Sequence, residues 1–291
     1  MQLQEIIKDN QNKREKLECQ FAARKFYNKA EGCLAAMRIC SVISALFVVF
    51  PDSTNNVAKV VLVAIPLFLD LVSAIFLIIT SQLVKNAALL RNYFDQTVLH
   101  LQGKEYSDED LRHIRDLRSR MVSKYAEECK VQITHTSRSN PPGVKDWYEF
   151  SREYTDSEVV FECQRQNQWW NKKLLAKRMV YYAIVCGVVI VASVSLISFS
   201  CISAWRIIVS FLGIAISLID RIYENFLYIS LSKKIDNYVE LIAISKNDDQ
   251  IKELQRKIEE RRAMPVLEMN IIHKKSSKSL SERYEKITSD K

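Results

Sequence analysis

Glycine is scarce. Five occur in 291 residues, and no two stand together. That excludes the glycine-rich loops that cradle nucleotide phosphates, and no Walker lysine, HExxH or GxSxG pattern is present either. Paired cysteines are missing too: the seven that occur are scattered, with no CxxC spacing, which indicates neither a disulfide framework nor a zinc site. The four histidines, His100, His113, His135 and His273, share no metal-ligand spacing. No segment alternates apolar and polar residues as a strand does. Recognisable catalytic machinery is therefore absent, and the sequence calls for no resident cofactor or metal.

Charge is missing over one long stretch: between Arg178 and Arg206 no charged residue occurs. The mean hydropathy of −0.09 hides this segregation. A bilayer core about 30 Å thick needs roughly 20 apolar residues in a helix. Four segments approach that length: Cys33 to Phe50, Val57 to Thr80, Met179 to Ser203, and Ala204 to Leu231. The first contains Arg38, whose long side chain can reach the near interface. The fourth is interrupted by Asp220, Arg221 and Glu224. Apolarity on all sides over such lengths reads as membrane rather than as one core-facing stripe.

The residues flanking these spans set an orientation. The linker Pro51 to Asn56 and the turn from Cys201 to Trp205 carry no Lys or Arg. The opposite ends carry Arg38, Lys85, Arg91, Lys172, Lys173, Lys177, Arg178, Lys233 and Lys234. The positive-inside rule then places both termini and the middle region in the cytoplasm. Met1 to Lys29 is polar and charged, unlike a signal peptide. The net charge of +8 is interleaved with 34 acidic residues, so membrane topology accounts for it better than a nucleic-acid polymer does.

The expected fold is all-α: a polytopic membrane protein of two helical hairpins with helical cytoplasmic segments. Its units are a cytoplasmic N-terminal amphipathic helix (1–32), a first hairpin (33–80), a cytoplasmic helical region (81–178), a second hairpin (179–231), and C-terminal helices with a basic tail (232–291). Leu83, Ala87, Leu90, Phe94, Val98 and Leu101 recur at helical spacing beyond the second span. Ser107 with the acids after it predicts an N-cap, on a helix reaching about Glu128. "HTSRSNPPG", from His135, predicts a loop. "KNDD" predicts a turn between two C-terminal helices, and "HKKSSKS" a flexible tail.

Asp70 lies about 11 residues past Lys59, near mid-bilayer at 1.5 Å per residue. A charge there should face protein or water, and Pro66 one turn earlier can kink the helix. Asp70 is either a pore-lining or gating carboxylate or a hydrogen-bonding lock between helices. Asp220, Arg221 and Glu224 either mark the inner edge of the fourth span or line a polar route through it. Arg165, Gln166, Asn167, Trp169, Trp170, Lys172 and Lys173 form an interfacial aromatic belt above basic residues, or a site where rings stack and cations hold phosphate.

Three stretches, "NQNKREKLECQFAARKFYNKAE", "VKDWY" (Val144 to Tyr148) and "CQRQNQWWNKKL" before the third span, resemble the bacterial SMODS-associating four-transmembrane effectors over nearly the whole chain. The resemblance implies a pore-forming effector of antiviral defence in the bacterial inner membrane. In such systems a nucleotidyltransferase makes a cyclic oligonucleotide, and the effector then damages the host membrane. It also raises Arg165 to Trp170 as a sensing or interface stretch. Four spans enclose too little polar surface for a channel, so a pore requires a homo-oligomer. The alternative is a non-conducting scaffold or small transporter in which Asp70 packs or relays protons.

Overall fold

The computed structural model describes residues 2–47, 55–101, 105–150, 152–199, 204–245, 247–264 and 270–289. Nine helices occur among them: α1 (Leu3–Gln11), α2 (Arg14–Leu46), α3 (Asn56–Val98), α4 (Asp108–Lys124), α5 (Ala126–Thr134), α6 (Asp156–Phe199), α7 (Ala204–Ser245), α8 (Asp248–Ala263) and α9 (Asn270–Ser289). The described residues contain no strand, only an isolated bridge between Thr136 and Lys145. The protein is all-helical.

Four of these helices are long, and each is divided along its length. In α2 the buried residues end at Leu34, Met37 and Ala45, while Ile39, Val42, Ile43 and Leu46 are exposed. In α3, Val57 to Ile79 present exposed apolar side chains, and burial begins at Thr80. In α6 burial ends at Arg178, and Met179 to Val194 are largely exposed among the described side chains. In α7, Ile222, Tyr223, Phe226 and Leu227 are exposed before Tyr228 turns inward. Among the described residues, α3 is the one helix long and apolar enough to cross a membrane. It runs unbroken through Pro66. Ser73 donates to the Met37 carbonyl at 3.4 Å, one link of the α2–α3 hairpin.

The other halves of these helices form one packed body. Phe26, Ala87, Leu90, Ile114, Leu117 and Met121 join α2, α3 and α4. Phe94, Tyr148, Val159, Ile235, Leu254 and Ile258 join α3, the loop before α6, α6, α7 and α8. At about 1.5–3 kcal/mol per buried large apolar side chain, these clusters hold the body together.

The N-terminal segment is two helices rather than the expected one. Asn12 leaves helix pairing because its side-chain amide bonds Asp146, Nδ2 to Oδ1 at 2.7 Å, while its Oδ1 accepts from the Asp146 amide. Side chain–backbone bonding of this kind competes with helix continuation. Gln11 makes the same two-point bond to the backbone of Tyr148, and Gln4 bridges Tyr154 and Arg152. Two α1 amides and that of Asn12 just after it thereby satisfy a loop that has no strand partner of its own.

Ser107 caps α4 in a full capping box with Asp110. That helix ends at Lys124 instead of Glu128, because Tyr125 leaves helical geometry before α5 starts. Lys25 lies 4.6 Å from the Tyr125 ring centroid. The expected flexible tail is helix α9 over Asn270–Ser289. Three of its serines, Ser276, Ser277 and Ser281, are buried: Ser276 accepts from Lys177 Nζ at 2.6 Å, and Ser281 meets Ser137 at 2.8 Å.

Candidate functional site

The stretch "CQRQNQWWN" carries five amide side chains on α6, which between them tie α7, α8 and the loop before α6. Gln164 donates to the Ile251 carbonyl of α8 at 3.1 Å. Gln166 accepts from the Glu149 amide of the loop at 3.2 Å. Gln168 donates to Ser232 and Asp236 of α7, and Asn171 pairs with Ser232 and Tyr228. Asn167 donates to the Tyr148 hydroxyl at 3.1 Å. That hydroxyl donates in turn to Asp95 Oδ1 at 2.6 Å.

Asp95 is fully buried, and Arg262 Nη1 lies 2.7 Å from its other oxygen. This contact is an ion pair rather than a well-angled hydrogen bond. Burial opposes the Arg262 charge, but Asp95 and nearby phenols offset it and raise its proton affinity. Burial first, then Asp95, pushes the Tyr148 phenol well above its ordinary value. The phenol therefore stays a donor.

This network forms one wall of a cavity holding about 1290 Å³ of empty space, its open mouth included. The wall draws on α2 (Arg24, Tyr27), α3 (Arg91), the loop before α6 (Lys145, Trp147, Glu149), α6 (Gln166, Asn167, Trp170), α7 (Tyr228), α8 (Arg261, Arg262) and α9 (Ser281). Five cations line it against one acid, Glu149. Glu149 is itself engaged by Arg138 at 3.0 Å.

Three of the cations have no carboxylate partner among the described residues. Arg24 is fixed by three acceptors, Gln132 Oε1, the Pro142 carbonyl and the Gly143 carbonyl, at 2.8–2.9 Å. Burial and then the nearby Arg91 lower its proton affinity to about 10. The Arg91 guanidinium carbon lies 5.2 Å from the Tyr27 ring centre and 5.1 Å from that of Trp147. Its Nε is buried with no hydrogen-bond partner. Lys145 is exposed. A Cβ on Gly143 would sit 1.8 Å from the His135 carbonyl oxygen, so only glycine lets the loop close here. Collecting unpaired guanidinium groups in one place is costly unless an anion arrives to meet them.

Among the residues expected in a sensing stretch, Gln166, Asn167 and Trp170 line the cavity. The others lie outside it. Arg165 pairs with Glu162, Lys172 with Asp236, and Lys173 sits over Trp169. Trp169 packs on Tyr284 of α9, ring centres 5.2 Å apart. Sequence reading did not single out Arg24, Tyr27, Arg91, Arg261 or Arg262 as site residues. The quoted stretches "AARKFYNKA" and "VKDWY" did contain Arg24, Tyr27, Lys145 and Trp147, and were the available signal.

Of the span residues, Asp70 is exposed beside Leu67, Phe68 and Leu71. Pro66 is half-buried, and its carbonyl lies 3.5 Å from Ser44 Oγ. Glu224 is half-buried on α7, whereas the side chains of Asp220 and Arg221 fall outside the described ones. Groups of three or more metal-ligating side chains do not occur among the described residues.

A family model described as the SMODS-associating 4TM effector domain matches residues 5–289. No curated protein matches the chain, and no solved structure does.

Proposed function

We propose, since the chain belongs to the SMODS-associating 4TM effector family, that it is a four-span membrane effector of bacterial antiviral defence, opened by a cyclic oligonucleotide bound in the cytoplasmic cavity. A partner nucleotidyltransferase supplies that signal. One observation carries the reading. The four helices whose apolar ends stand exposed, α2, α3, α6 and α7, are the same four that continue without a break into the cavity wall. A ligand that draws Arg24, Arg91, Trp170 and Tyr228 together acts directly on the rods that enter the bilayer. Such a ligand shifts the resting equilibrium by as much as it prefers the rearranged cavity.

Both described ends of the chain belong to the cavity side. The Leu3 amide donates to Asp156, and Ser281 of α9 lines the cavity. This fits termini in the cytoplasm, with the basic flanks on the same side.

Asp70 supports assembly into an oligomer. A charged Asp at mid-bilayer costs about 2.5–3.5 kcal/mol on insertion scales. The folded chain leaves it among exposed apolar side chains instead of pairing it inside. A second copy, or water enclosed by several copies, removes that cost. In this reading Asp70 lines the pore, held shut at rest. No residue of the family is carried over as catalytic, and the protein acts without turnover.

Dye-loaded liposomes carrying the purified chain in one orientation provide the test, using a panel of cyclic di- and trinucleotides. Leakage with one nucleotide and none without it is the expected result. Silence with the whole panel contradicts the proposal and favours the non-conducting scaffold. Constant leakage without any nucleotide keeps the pore and removes the gate.

A further inference from the structure

Lys29 stands at the depth where the first hairpin passes from packed body to exposed apolar surface. Ser73 of α3 bonds the Met37 carbonyl of α2, and Ala30, Leu34, Met37 and Val84 form one cluster between the two helices. The helices run antiparallel. Counting back along α2 and forward along α3 from the Ser73–Met37 link sets Lys29 level with Ser81. On α3 the exposed apolar stretch ends and burial begins at Thr80. Given the reading of this hairpin as membrane-spanning, Lys29 lies in the headgroup layer, about 5–8 Å deep beside the hydrocarbon.

Helix α4 brings two more cations to that depth. Its Ile114, Leu117 and Met121 pack with Phe26, and the Arg120 guanidinium carbon lies 5.8 Å from the Phe26 ring centre. Tyr125 then breaks the helix, and ammonium groups from α2 and α4 gather at its ring. Lys25 lies 4.6 Å from the ring centre, and Lys29 and Lys124 lie 5.8 Å from it. Lys25 is answered by Glu128, and Glu127 is taken by Lys130. Lys29, Arg120 and Lys124 pair with no carboxylate among the described residues. Lys29 is half-buried, while Arg120 and Lys124 are exposed. Burial first, then Lys124 and Arg120, hold the Lys29 amine below its ordinary proton affinity. Like charges this close repel one another until an anion arrives.

Cations at the inner end of the third span are treated differently. Lys172 pairs with Asp236, Lys177 donates to Ser276, and Lys173 lies over the Trp169 ring. Positive-inside placement asks only for basic residues near a span, not for three converging from two helices without counter-ions. Such a group at headgroup depth matches a lipid phosphate.

We propose that Lys29, Arg120 and Lys124, beside Tyr125, form a site for the phosphate of an anionic glycerophospholipid, fastening the α4–α5 turn to the cytoplasmic leaflet.

Native mass spectrometry of the full chain in detergent tests this, with phosphatidylglycerol and phosphatidylcholine of the same acyl chains as probes. Phosphatidylglycerol should bind about 10- to 100-fold more tightly, as two or three cations at headgroup depth imply. A triple variant, Lys29→Gln, Arg120→Gln and Lys124→Gln, should lose that preference. Its melting temperature should match the parent's, because no ion pair is broken. Lys233→Gln with Lys234→Gln removes two exposed basic residues beyond the fourth expected span and should keep the preference. Equal binding of the two lipids by the parent overturns the proposal. So does a preference that the triple variant retains, or that the double variant loses to the same extent. Inorganic phosphate that displaces the lipid at micromolar concentration would make this a site for a free anion, and overturns the lipid assignment. All of these leave the membrane reading standing. A chain that floats with vesicles of neither lipid removes both.

Discussion

Two aspartates on α3 show how differently one helix is treated along its length. Asp95 and Asp70 are 25 residues apart, about 37 Å along a continuous helix. Asp95 is fully buried and answered from two other elements, by the Arg262 guanidinium and by the Tyr148 hydroxyl. Asp70 stands exposed, with Leu67, Phe68 and Leu71 around it. The Asp95 charge is resolved within the chain. The other is left for whatever surrounds it, and in a bilayer only another copy or enclosed water can serve. One carboxylate therefore contributes to folding, and the other, in the proposed reading, to what the folded chain does in a membrane.

The largest effect expected from separating them is on Asp95. Asp95→Ala leaves Arg262 buried without its partner, a loss of about 3–5 kcal/mol. Thermal unfolding in detergent should show the melting temperature lowered by about 10 °C or more. Asp70→Asn should instead leave the melting temperature alone and cut ligand-triggered cation leakage several-fold. An Asp70→Asn variant that melts early but leaks normally would reverse the assignment of roles. Tyr148→Phe removes the bond to Asp95 and the one from Asn167 and keeps the ring's packing on Phe94, so a loss of about 2 kcal/mol, about 5 °C, is expected. The smallest effect belongs to Lys130→Ala. Its pair with Glu127 is exposed on both sides and screened by water, and thermal unfolding should register no change.

The elements that sequence reading found were those written in local pattern. The Ser107 cap and the turn at "KNDD", where Asn247 caps α8, each rest on residues a few positions apart. The cavity was only partly legible. Gln166, Asn167 and Trp170 stood out because amides and paired tryptophans are conspicuous beside a membrane-entering helix. Arg24 and Arg91 did not, because a single arginine on a polar helix face reads as solvated. Only packing of α2 against α3, and the fold-back of Trp147 onto Arg91, shows otherwise. Arg262 needed a contact across more than 160 residues of chain to become visible. The error at α9 has the same origin. Serines and lysines read as a flexible tail until Lys177 and Ser137, both distant in sequence, are found bonded to them.

The central claim is that occupying the cavity moves the membrane segments, because both are built from the same helices. Nitroxides placed through a non-natural amino acid at Val42 and Ile184, both exposed on apolar helix ends, report on it directly. Pulsed electron resonance in nanodiscs gives the distance between them with and without the cyclic nucleotide that binds. A shift of several ångströms on binding, abolished by Arg91→Ala, is the predicted result. An unchanged distance distribution with the cavity saturated would contradict the coupling.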